Sequence, residues 1–146
     1  MCHLLTEKGY LERKLVLDKL INEMLLKKEW AVVGATRNVN KYGYKIYKLL
    51  KEREYNVIAV NPIYSDIEGD KTEPTLLDID TKVQCVNIVV PPSKAEKVVE
   101  DAIKLKIKYL WFQPGTFTEE LIEKAENAGI KVVFYNCILV ELRKRG

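Results

Sequence analysis

Histidine is nearly absent from this chain of 146 residues, which holds only His3. Catalysis that passes a proton through imidazole therefore has no candidate within the body of a fold. Cysteine is also scarce. Cys2, Cys85 and Cys137 match neither a disulfide framework nor a zinc spacing, so no metal site is expected. No apolar run approaches the roughly 20 residues of a membrane span. Glu7, Lys8, Glu12, Arg13 and Lys14 interrupt the N-terminus where a signal peptide needs an apolar stretch. The cytoplasm is the expected setting, with no membrane partner. Net charge is only +3, from 24 basic and 21 acidic residues, which argues against nucleic acid as the main partner. A phosphorylated small molecule suits that charge without being required by it.

What the chain does have is a sharply punctuated apolar pattern, and its length suits one domain with a real core. Trp30-Ala31-Val32-Val33 breaks at Gly34 into a small, polar, basic loop, and a helical stretch follows from Tyr42 to Arg53, with Tyr44, Tyr47, Leu49 and Leu50 as inner-face candidates. Before it, residues 1–9 read as a lead-in, and residues 10–28 as a helix with Lys27 and Lys28 in its last turn, packed on the sheet or on another subunit. After it come strands at Asn56–Val60, Gln84–Val90, Tyr109–Phe112 and Lys131–Phe134. A short edge strand near 66–68 and a helical turn near 76–78 fill the polar connection between the second and third. Ser93 reads as the N-cap of a helix over Lys94–Leu105, with Glu96 at capping-box spacing. Thr118 caps the next helix, and Gly129 closes it. A final turn is expected over Ile138–Leu142. Near-continuous apolar strands alternating with helices mark a parallel sheet covered on both faces. The expected fold class is α/β: a Rossmann-like, doubly wound, mainly parallel sheet of about five strands, with residues 1–29 as lead-in and packing helix and 30–146 as the binding domain.

Ligands of open parallel sheets bind beyond the carboxyl ends of the strands. Five loops leave those ends: Gly34-Ala35-Thr36-Arg37, Asn61-Pro62, Pro91-Pro92-Ser93, Gln113-Pro114-Gly115 and Asn136-Cys137. The first is not a GxGxxG loop. Its glycine permits a tight turn and close backbone approach, and Thr36, Arg37 and Lys41 surround a helix start that favours anions. The plain alternative is a connecting loop with solvated basic residues. At the second end an NAD site would carry an acid to bond the ribose hydroxyls. Asn61 stands there instead and tolerates a phosphate on the ribose, unless Asn61-Pro62 simply starts a turn.

These residues resemble the CoA-binding-domain family, which is related to the N-terminal domain of the succinyl-CoA synthetase alpha subunit and is similar to that domain standing alone. The matching stretches are VVGAT at 32–36, KYG at 41–43, VNP at 60–62, VVPP at 89–92, WFQPG at 111–115 and NCI at 136–138. The resemblance implies a site for coenzyme A or an acyl-CoA. Gly34, Ala35, Thr36 and Arg37 would cradle the pyrophosphate, with Lys41 nearby. Val60, Asn61 and Pro62 would flank the adenosine, with Val90 and Pro91 on its other side, and Gln113, Pro114 and Gly115 would border the pantetheine. The tip Asn38-Val39-Asn40 departs from relatives that carry a proline there. The related ligases need a phosphorylatable histidine and a second domain, which this chain is not expected to supply, so a non-catalytic CoA-binding protein is the first expectation. An NAD(P)-binding redox enzyme or sensor is a second, with Tyr42 and Tyr135 as weak proton donors. A third is a ligand-responsive protein acting on a partner or a second copy. Cys137, at the ligand edge, is either a partner for the CoA thiol in a mixed disulfide or a small packing residue. Cys85 belongs to the core.

Overall fold

Apolar side chains that point alternately to opposite sides need cover on both sides, and the chain supplies it with helices. A computed structural model describes residues 7–146, so Cys2 and His3 lie outside the described residues. The elements run α1 (Glu7–Leu26), β1 (Glu29–Val33), α2 (Tyr42–Glu52), β2 (Asn56–Val60), β3 (Asp66–Ile67), β4 (Asp70–Glu73), a 3-10 turn (Leu76–Asp78), β5 (Cys85–Ile88), α3 (Pro92–Lys104), β6 (Tyr109–Phe112), α4 (Glu119–Asn127), β7 (Lys131–Val133) and α5 (Ile138–Lys144). Trp30, Val32, Cys85 and Trp111 pack under α1, α2 and α5. Their strand neighbours Ala31, Val33, Val86, Leu110 and Phe112 pack under α3 and α4. This is a doubly wound Rossmann-like fold, as the apolar pattern predicts.

The strand order is β3-β4-β2-β1-β5-β6-β7. Every neighbouring pair from β4 to β7 is parallel, and β3 joins β4 antiparallel. The sheet therefore has seven strands, against about five expected. The difference is the β3–β4 hairpin. Four polar residues, Asp70–Glu73, form β4 beside β2, and such a sequence carries no apolar signal. The direction of winding reverses between β1 and β5, which opens a crevice at their carboxyl ends.

Several boundaries differ from the sequence reading. Helix α1 starts at Glu7, so Gly9 lies inside it, and it ends before Lys27 and Lys28. Its second half buries Ile21, Met24 and Leu25, whereas Leu11, Leu15 and Val16 are exposed. A groove of about 830 Å³ runs between this first half and Val132, Phe134 and Tyr135 at the β7 edge. Helix α2 buries Ile46 with Tyr47 and Leu50, while Tyr44 and Leu49 are only partly covered. Helix α3 begins at Pro92 with Pro91 as N-cap, so Ser93 lies within the first turn and makes no cap bond. Proline fits there because its missing N–H is an orphan at that position anyway. Thr118 does cap α4, accepting from Leu121 N at 3.2 Å. The tail forms a full helix, α5, whose Ile138, Leu139 and Leu142 complete the core.

The uneven burial of α1 has a direct test. Ile21→Ala should cost about 2–5 kcal/mol in urea denaturation, and Leu15→Ala, at a position 67% exposed, should stay within about 0.5 kcal/mol of the parent. Equal effects at the two positions would contradict the packing.

Candidate functional site

The site begins with two glycines brought together. Gly34 follows β1 with φ +105°, a conformation that side chains resist, and its N–H donates to the Val60 carbonyl at 2.9 Å. Its Cα lies against Val89 and Val90, so a methyl group there would meet their atoms at 3.0 Å. Gly43, in the first turn of α2, approaches even more closely: a Cβ on it would lie 2.1 Å from the Gly34 carbonyl oxygen. The loop is thus folded back until the helix start touches the strand end.

Neutral side chains hold that fold. Asn61 Nδ2 donates to the Ala35 carbonyl at 2.8 Å, and its Oδ1 accepts from Ile63 N at 2.9 Å. The Thr36 hydroxyl accepts from Asn38 N at 3.2 Å and shares a hydrogen bond with the Tyr64 hydroxyl at 3.1 Å. At the loop tip, Asn38 Oδ1 accepts from Asn40 N at 3.0 Å and the Asn38 carbonyl accepts from Lys41 N at 3.0 Å. Among the described residues, the amides of Thr36, Arg37, Tyr42 and Gly43 have no protein acceptor. Unpaired amides beside the N-terminus of an eleven-residue helix form a donor set that fits a phosphate. The start of α3 differs, because Pro91 and Pro92 have no N–H to offer.

The predicted residues fall into two groups. Gly34, Ala35, Thr36, Val60, Asn61 and Val90 are in direct contact around the first loop. Lys41 is its exposed helix cap, and Pro62 and Pro91 are exposed at the rim. Arg37 is present but turned to Asp66, donating from Nη2 to Oδ1 at 2.8 Å. The second group is Gln113 and Cys137. Gln113 is buried; its Oε1 accepts from Ile138 N at 2.9 Å, and its Nε2 lies 3.4 Å from the Cys137 sulfur. It joins the first group through β5, donating its own N–H to the Ile88 carbonyl at 3.0 Å. Pro114 and Gly115 form the exposed turn beyond it, with Gly115 at φ +87°. Cys137 is half-buried at the start of α5, and burial pushes the Cys85 thiol pKa up.

Three contributors escaped the sequence reading. Gly43 closes the KYG stretch of the resemblance, but its close approach to the strand end left no trace in the sequence. Asn87, fully buried in β5 with its Oδ1 unpartnered, is a polar residue in an apolar strand. Of the hairpin, the edge strand expected near 66–68 is β3, but β4 carried no signal. The hairpin's side chains at alternate positions face α2: Glu68 meets Tyr44 and Lys48, and Asp70 meets Tyr47 and Lys51. The hydrogen bond from Tyr44 holds the Glu68 carboxyl below its usual range, and that from Lys51 does the same for Asp70.

Residues 28–143 match the CoA binding domain family. The chain belongs to that family. It is 34% identical over 118 residues to the ADP-forming acetate–CoA ligase I of Archaeoglobus fulgidus, a match that covers 74% of this chain and 17% of the ligase. It is 27% identical over 121 residues to YneT of Bacillus subtilis, covering 82% of this chain and 90% of that protein. The solved structure of a hypothetical protein from Pyrococcus horikoshii OT3 superposes with a TM-score of 0.83 at 36% identity, covering 87% of this chain and 90% of that one. The family thus occurs both as a small part of long ligases and as proteins of about this size. No helix among the described residues is long and apolar enough to cross a membrane.

Two outcomes follow from this geometry. Gly43→Ala should lower stability by about 1–3 kcal/mol or more, because only backbone can move out of the way. It should also abolish anion binding at the loop, as isothermal titration with inorganic pyrophosphate would read. The hairpin supplies the second. A carboxylate whose pKa is depressed on folding stabilises the fold above its unfolded value, about 4, and loses that contribution as pH falls through the lower folded value. The Tm should therefore drop more steeply with acid below about pH 4 in the parent than in Asp70→Asn. The difference should be small and should shrink in salt, because these pairs are exposed.

Proposed function

We propose that the protein holds CoA or an acyl-CoA at the carboxyl edge of its sheet and performs no reaction on it. Family membership supports the ligand class. The observation that carries the placement is the set of unpaired amides between Thr36 and Gly43, at a loop whose two glycines leave no room for side chains. In this reading the pyrophosphate rests on Gly34, Ala35, Thr36 and Arg37 and on the start of α2, with Lys41 beside it. Val60, Asn61 and Pro62 flank the adenosine, Val90 and Pro91 face it, and Gln113, Pro114, Gly115 and Cys137 border the pantetheine. Residues 30–146 act as the binding domain, and 1–29 as a lead-in and a helix packed on it.

A holding role is supported by what the polar groups of the site are doing. Thr36, Asn61 and Gln113 are each committed to backbone partners. Asn61 and Gln113 are amides, which neither take nor give a proton near neutral pH, and the Thr36 hydroxyl is shared with Tyr64. The rival, an NAD(P) redox protein, asks for an acid at the end of β2 when the cofactor is NAD, and less so when it is NADP. Asn61 offers an amide there, with both of its polar atoms engaged.

Thermal unfolding with each ligand separates the two. CoA at a hundredfold excess over its Kd should stabilise the protein by about 2.7 kcal/mol, a Tm rise of several degrees. NADH should produce neither a shift nor a change in its own fluorescence. A Tm that stays put with millimolar CoA and acetyl-CoA, or one that responds to NADH alone, would sink the proposal.

A further inference from the structure

Arg37 stands in the loop between β1 and α2, yet its side chain reaches out of the loop to the hairpin. Nε donates to the Asp66 main-chain carbonyl at 2.9 Å, and Nη2 donates to the Asp66 carboxylate at 2.8 Å. The guanidinium also lies over the Tyr64 ring, 5.1 Å from its centre. The Tyr64 hydroxyl returns to Thr36 in the same loop at 3.1 Å. Asp66 is itself fixed, since its second carboxylate oxygen accepts from Gly69 N at 3.0 Å. The tight turn at Glu68 and Gly69, both at positive φ, sets that geometry. The bonds of Glu68 and Asp70 to α2 then anchor the whole hairpin.

Resting on the CoA reading, we infer that Asp66 and Tyr64 are positioning residues that hold the Arg37 guanidinium ready for the ligand's pyrophosphate. An arginine has five N–H donors in a rigid fork. Two serve Asp66, and the two on Nη1 and the second on Nη2 remain for an anion. A long side chain otherwise loses rotamer freedom at the moment of binding. Here the hairpin has imposed that order before the ligand arrives. A carboxylate near an anion site is normally a liability. It is tolerated here because it arrives paired with the cation that it also aims, so the pair adds no net negative charge.

The two roles predict opposite signs, which makes the inference testable by titration calorimetry with CoA and with inorganic pyrophosphate. If Asp66 were only a nearby negative charge, Asp66→Ala would tighten binding. As a positioning residue, its loss should weaken both ligands by about 3- to 10-fold, and Asp66→Asn, which keeps an acceptor, should recover part of the loss. In an Arg37→Met background, Asp66→Ala should cause no further loss, because the carboxylate then has no guanidinium to position. The unliganded Tm should hardly move, since the pair is about half exposed (52% and 45%). Equal or tighter binding by Asp66→Ala, or the same loss with Arg37 already removed, would overturn the inference while leaving the CoA site intact. A parent protein that binds neither ligand would remove the site and this role together.

Discussion

The contact between Gly34 and Gly43 sets the geometry on which the rest of the ligand edge depends. With no side chain on either residue, the first turn of α2 sits directly on the strand end, where a Cβ would lie 2.1 Å from the Gly34 oxygen. That approach brings the helix start against the loop that leaves β1. The neighbouring strand ends then have to fit around a loop already folded back. The Val60 carbonyl takes the Gly34 N–H, Asn61 takes the Ala35 carbonyl, and Val89 and Val90 close the other side. Each of these lies at or just past the carboxyl end of a strand adjacent to β1 in the sheet, so the strand order itself delivers the walls around the loop.

How much of this could be read from sequence follows from which interactions leave a local trace. The parallel core strands were legible because burial on both faces demands continuous apolar runs, and Trp30–Val33, Asn56–Val60 and Tyr109–Phe112 are such runs. The strand-end loops were legible from their abrupt change of composition. Of the hairpin only the edge strand β3 was, because β4 is paired through its backbone while its side chains are polar and mostly charged, which carries no strand signal. The start of α3 was misplaced for a related reason: Ser93 and Glu96 spell a capping box, but Pro91 and Pro92 already supply the fixed φ that starts the helix. The direction of Arg37 was beyond reach, since it depends on a hairpin 29 residues away.

The exposed first half of α1 shows the limit of periodicity in another way. Leu11 and Leu15 continue the spacing of Leu17, Leu20, Ile21, Met24 and Leu25, so the pattern promises burial throughout. Burial also needs something to pack against, and β7, the last strand, is only three residues long. The helix outruns the sheet, and the groove beneath its first half is the result. Periodicity reports which side chains share a face; the length of the neighbouring element decides how many are covered.

At the ligand edge, the choice of brace has an electrostatic logic. Asn61, Gln113 and Thr36 fasten loops where carboxylates would make shorter, stronger bonds to backbone amides. A carboxylate can only accept, and its charge would raise the cost of bringing a phosphate close. An amide donates and accepts at once. Asn61 does both, tying the Ala35 carbonyl and the Ile63 amide together without adding charge. Gln113 does the same between Cys137 and Ile138. The acids that pin the hairpin to α2 bond to Tyr44, Lys48, Tyr47 and Lys51 along the helix, beyond the loop itself. Where an acid does reach the loop, at Asp66, it arrives bonded to Arg37. The same fold can therefore be braced firmly without placing an unpaired acid in the loop proposed to hold an anion, because its acids are kept along the helix or delivered in pairs.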